Sequence, residues 1–145
     1  MGKDVDFKNN IMIKGFSKQT NRYGLEYYSP DAILKNNNIQ VVCESSSTGD
    51  RKKHIGELLQ FVTLVCDEKQ ENQDFYFVLF INTESKKGCS ADKESNRLKY
   101  YFDRTSISRE KLRKIKGIYV VNQHDVDITN ISIEDFNQKP YYSVL

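Results

Sequence analysis

The chain is poor in the residues that build soft-metal and redox centres. It carries three cysteines and two histidines in 145 residues. Cys43, Cys66 and Cys89 show no metal-like spacing, and an odd count without a secretory leader reads as reduced thiols in a cytoplasmic setting. Cys43 and Cys66 lie in apolar runs and are expected in the core. His54 and His124 are too few for a zinc site, and neither has a partner that spacing identifies. No apolar run is long enough to span a bilayer, so no membrane partner is expected. The opening Met-Gly-Lys-Asp-Val-Asp has no apolar signal core, and Asp6 breaks the myristoylation pattern that Gly2 begins. Gly49 and Gly56 do not form a phosphate-binding loop. The run Ser45-Ser46-Ser47-Thr48-Gly49 lacks the elbow of a serine hydrolase, and neither histidine has a foreseeable position beside it.

What is present suits one domain, residues 1–145, with one core. Charged residues make up 29% and mean hydropathy is -0.66. There is no internal repeat and no linker. Residues 10–16 read as a first strand, and 25–28 as a short aromatic one. Residues 31–34 and 39–45 make a hairpin about an asparagine-rich turn, because Asn tolerates left-handed backbone. Ser46 to Asp50 offers several caps for a helix from Lys52 to about Cys66. Ile55, Leu58, Leu59, Val62 and Cys66 recur at helical spacing as its apolar face. Residues 75–81 are the nearly unbroken apolar run of a central strand. Residues 91–104 are expected to be helical. Ser108 could cap a helix ending at Gly117, 118–121 a strand, and Ser132 could cap a short final helix. This order predicts an α/β fold, a mixed sheet flanked by helices.

The hairpin and the helix after it carry the candidate chemistry. Strand side chains alternate, so Gln40, Val42, Glu44 and Ser46 share one face. Glu44 closes its strand and Asp31 opens the neighbouring one. Two carboxylates at adjacent strand ends can share a divalent cation, and Mg²⁺ favours one or two carboxylates with water and substrate phosphate. Pro30-Asp31, then Glu44-Ser45-Ser46, then the helix near Lys52 resembles the PD-(D/E)XK nucleases, the restriction-endonuclease-like fold. Their pattern is Pro-Asp on one strand, acid-x-Lys on the next, then a helix. The resemblance covers about residues 25 to 81. It implies that Asp31 and Glu44 are metal ligands, with Mg²⁺ or Mn²⁺ as cofactor, in an enzyme that hydrolyses DNA, RNA not being excluded. Ser46 departs from the pattern, standing where the family has its lysine. Lys52 or Lys53, from the helix, would then supply the cation. The helical wheel favours Lys52, which lies beside Leu59 near the apolar face, over Lys53, which lies with Glu57 and Gln60. Glu26 is a further candidate ligand.

Net charge is only +2, but it is unevenly spread. Arg104, Arg109, Lys111, Arg113, Lys114 and Lys116 concentrate positive charge and are candidate phosphate contacts. Two-strand cleavage needs two sites, so a homodimer would suit the enzyme. Two other readings stand beside the nuclease: a nucleic-acid-binding module that has lost catalysis with the lysine, and a protein-interaction domain whose acids are merely surface charges.

Overall fold

The computed structural model describes residues 3–19, 28–83 and 90–145. Its sheet is organised by the asparagine turn. Asn37 takes φ 49°, and β2 (Ala32–Asn36) turns there into β3 (Ile39–Ser46). The antiparallel register runs from Asn36 opposite Ile39 to Ala32 opposite Cys43. After β3, Asp50 caps α2 (Arg51–Asp67), its side chain accepting from the Lys52 amide at 3.0 Å. The helix returns the chain to β4 (Asp74–Ile81), which lies parallel to β3. Then α3 (Ala91–Phe102) and the short α4 (Arg109–Leu112) lead to β5 (Ile115–Asn122), parallel to β4. Two-residue strands close the edges, β1 (Ser17–Lys18) on β2 and β6 (Tyr142–Ser143) on β5. The six strands of the described residues lie in sequence order in one mixed sheet.

Both faces of the sheet are buried, which is why β4 reads as a continuous apolar run. On one face Val42, Phe77 and Val120 pack with Leu58, Phe61 and Val65 of α2 and Leu98 of α3. On the other, Val41, Cys43 and Val78 pack with Phe7 and Ile11 and with Phe136 near the C-terminus. Phe7 belongs to α1 (Lys3–Asn10); of residues 10–16, where a strand was expected, Ile13 makes a single bridge, to Ile131. Among the described residues no helix is long and apolar enough to cross a membrane.

The α2 stripe differs from its apolar pattern. Leu58 and Val62 are buried as expected, but Leu59 is 57% exposed and Cys66 is exposed. The inward stripe is His54, Glu57, Leu58, Phe61, Val62 and Val65. Phe61 sets it, with its ring 5.0 Å from Phe77 and 6.4 Å from Phe75. Two polar residues, His54 and Glu57, therefore face the sheet, and the wheel drawn on hydrophobicity places Glu57 outward. Gly117 lies inside β5 rather than at a helix end. A Cβ there would stand 2.3 Å from the Tyr119 ring, so glycine is needed for that close approach.

Candidate functional site

Glu44 lies at the C-terminal end of β3, facing α2, and is 4% exposed. Asp31 directly precedes β2, one step beyond the Ala32–Cys43 pair, and so stands opposite Glu44. A reciprocal clamp joins the two positions. The Asp31 amide donates to Glu44 Oε1 at 3.0 Å, and the Ser45 amide donates to Asp31 Oδ2 at 2.8 Å. Tyr28 donates its hydroxyl to Glu44 Oε2 at 3.1 Å, which fixes the second oxygen. Asp31 and Glu44 line one open cavity of about 360 Å³ with Lys52, Lys53, Glu57 and Gln60.

The charge in this cavity is unbalanced around Glu44. Burial pushes its carboxyl up to about 9, and the negative charges of Glu57 and Asp31 push in the same direction. The hydrogen bonds from the Asp31 amide and Tyr28 oppose the shift and do not overcome it. Asp31 has partial relief from Lys8, whose Nζ is 3.8 Å from Oδ1. Among the described residues no group of three or more His, Cys, Asp or Glu is disposed to hold a metal ion. The donor set at Asp31 and Glu44 is two hard carboxylates beside open space. That suits a Mg²⁺ that keeps much of its water shell and does not suit a thiolate- or imidazole-bound metal.

Both helix lysines border the cavity, and both are exposed. The wheel grouped Lys53 with Glu57 and Gln60 away from the sheet, yet Glu57 is buried and Gln60 lines the cavity. Lys53 is one turn before Glu57 on this side. Lys52 also borders a second cavity, of about 460 Å³, together with Arg51 and Tyr101.

Ser46 is occupied in another way. Its Oγ lies 2.8 Å from His54 Nε2, His54 Nδ1 lies 2.8 Å from Glu94 Oε2, and Arg97 donates to Glu94 Oε1 at 2.5 Å. The Ser46, His54 and Glu94 side chains are wholly buried. His54 thus has two partners that spacing did not identify, one of them forty residues away on α3. The order Ser–His–Glu has the outline of a nucleophile triad, but a substrate carbonyl needs access to the serine oxygen, and Ser46 has none. The chain is a polar tie between β3, α2 and α3. His124 is exposed, 3.5 Å from Asp125.

The basic segment lies elsewhere. β3, β4 and β5 run parallel, and Lys114 and Ile115 sit at the start of β5, level with Phe75 and Gln40. That level is about 13 Å along the strands from Glu44. Several of its cations are engaged with the protein. Lys114 is buried and donates to the carbonyls of Glu68 and Gln70, and Lys111 donates to Glu68. Lys116 pairs with Asp74 at 3.9 Å, and Arg104 lies over the Tyr100 ring at 3.7 Å. Arg109 and Arg113 are exposed. A phosphate held by Lys111–Lys116 would therefore be at the opposite end of the sheet from Asp31 and Glu44. Glu26 and Cys89 lie outside the described residues.

Tyr28 carried no sequence signal of its own, being one aromatic among those of the expected strand at residues 25–28. Glu57 was detectable only as a carboxylate one turn after Lys53. Searches against protein-family models, curated proteins and solved structures match nothing.

Proposed function

We propose that the chain is a divalent-metal-dependent phosphodiester hydrolase of the restriction-endonuclease-like kind. The observation that carries this reading is the pairing of Asp31 and Glu44 across the β2–β3 hairpin in a cavity bordered by Lys52 and Lys53. Asp31 and Glu44 would hold Mg²⁺ or Mn²⁺. When bound, the cation supplies Lewis acidity, lowering the pKa of a water and offsetting charge on phosphate. Tyr28 and the Asp31 amide orient Glu44 so that it need not be ordered during reaction. Lys53 supplies the positive charge that Ser46 lacks, stabilising charge that builds on the phosphate. Glu57 and Gln60, on the same side of α2 as Lys53, lie at this cavity, which Lys52 also borders.

The test is nicking of supercoiled plasmid, and of a labelled RNA, in Mg²⁺ or Mn²⁺ against EDTA. Cleavage is expected with metal only. Asp31→Ala and Glu44→Ala should abolish it, and Lys53→Ala should slow it by about 10²–10³, the cost of one such electrostatic group. Ser46→Ala should still cut. If no metal-dependent cutting occurs with folded wild-type protein, hydrolysis is lost and a nucleic-acid-binding module takes its place. That second reading draws on one specific observation: Ser46, at the position of the family's lysine, is sequestered by His54.

A further inference from the structure

The second cavity shares Lys52 with the carboxylate cavity, and the two are neighbours at the start of α2. Its far wall is Tyr101 of α3, 42% exposed. Next to it Tyr100 is 54% exposed, with the rings 5.3 Å apart and nearly perpendicular. Arg104 lies flat on Tyr100 at 3.7 Å and donates to its carbonyl at 2.8 Å. Arg51 and Lys52 add two cations on the near side, and the Asp50 carboxylate is turned to the Lys52 amide as a helix cap. The exposed Tyr101 ring, with Arg51 and Lys52 beside it, offers what an unpaired nucleotide strand needs: a ring face for a base and positive charge for phosphates.

We propose that this groove binds the unpaired strand leading to the carboxylate cavity, with a base stacked on Tyr101. The inference deepens the hydrolase reading and rests on it for the direction of the strand. A duplex does not present its base faces, so the groove selects single-stranded or frayed nucleic acid. The phosphates would pass Arg51 and Lys52 toward Asp31 and Glu44.

The experiment is fluorescence anisotropy of a labelled oligothymidylate and of a labelled duplex, in EDTA so that nothing is cut. Wild-type protein should bind the single strand, and more weakly as salt rises. Tyr101→Ala should weaken single-strand binding by about 5- to 100-fold, the range for loss of one base stack, and leave duplex binding unchanged. Tyr101→Phe should bind as wild type, since the ring is kept. The proposal is overturned if the wild type binds no oligonucleotide, or if Tyr101→Ala binds the single strand as wild type does. It is equally overturned if Tyr101→Phe loses as much as Tyr101→Ala, or if duplex binding falls in parallel. Circular dichroism of Tyr101→Ala separates loss of stacking from loss of fold. Strand binding by Tyr101 with no cutting in the nicking assay would uphold the groove and remove the hydrolase reading alone.

Discussion

Glu44 concentrates the physical conflict of this protein in one side chain. It is buried, it faces Glu57 and Asp31, and its carboxyl is pushed up to about 9. In the unfolded chain it returns to about 4.3. Between those values the folded protein keeps a proton that the unfolded chain has released. Its contribution is therefore intact at low pH and is lost as pH rises through that window. In EDTA the thermal midpoint of the wild type should fall more steeply from about pH 5 to about pH 9 than that of Glu44→Gln, which stays neutral throughout. Equal slopes would mean that Glu44 ionises freely in the fold. The same side chain explains why Tyr28 matters despite its distance from the Pro30-Asp31 pattern. It holds one Glu44 oxygen while the Asp31 amide holds the other.

At the scale of elements, the tie from Ser46 through His54 and Glu94 to Arg97 joins β3, α2 and α3. Removing His54 leaves a buried carboxylate without one of its two partners. His54→Ala should cost about 1–3 kcal/mol of stability, the cost of leaving its buried polar partners unsatisfied, read by urea unfolding at neutral pH. A loss below about 1 kcal/mol would show that the site relaxes or hydrates without it. This tie also marks where sequence patterns stop being informative. The hairpin, α2 and β4 were legible within one or two residues, because Asn37 turns the chain, Asp50 caps the helix and β4 is apolar on both faces. The facing of α2 was not. A hydrophobic stripe assigns Glu57 to solvent and gives His54 no partner, whereas Ser46 at the end of β3 meets His54 under the helix and Glu57 is buried beside it. Glu94 reaches His54 across forty residues, a contact that no local period encodes. Gly117 misled in a different way: glycine ends helices, but here it clears space for the Tyr119 ring within a strand.

At the scale of the whole molecule, the sheet separates two kinds of surface. The carboxylate cavity and the tyrosine groove share Lys52 at the start of α2, whereas Lys111, Lys114 and Lys116 gather at the opposite end of the parallel strands. The carboxylate end is where the pairing of β2 with β3 and the α2 stripe bring Asp31, Glu44, Glu57 and Lys53 around one cavity. The central claim is that this cavity is built for a hard divalent cation held by Asp31 and Glu44. Isothermal titration of Mn²⁺ into the wild-type protein near neutral pH, repeated in two buffers of different ionisation enthalpy, tests it most directly. Glu44 carries a proton there, so saturable binding should release about one proton per cation. Asp31→Asn and Glu44→Gln should each abolish binding. A folded wild type that takes up no Mn²⁺, or that binds it equally well in both variants, would contradict the account.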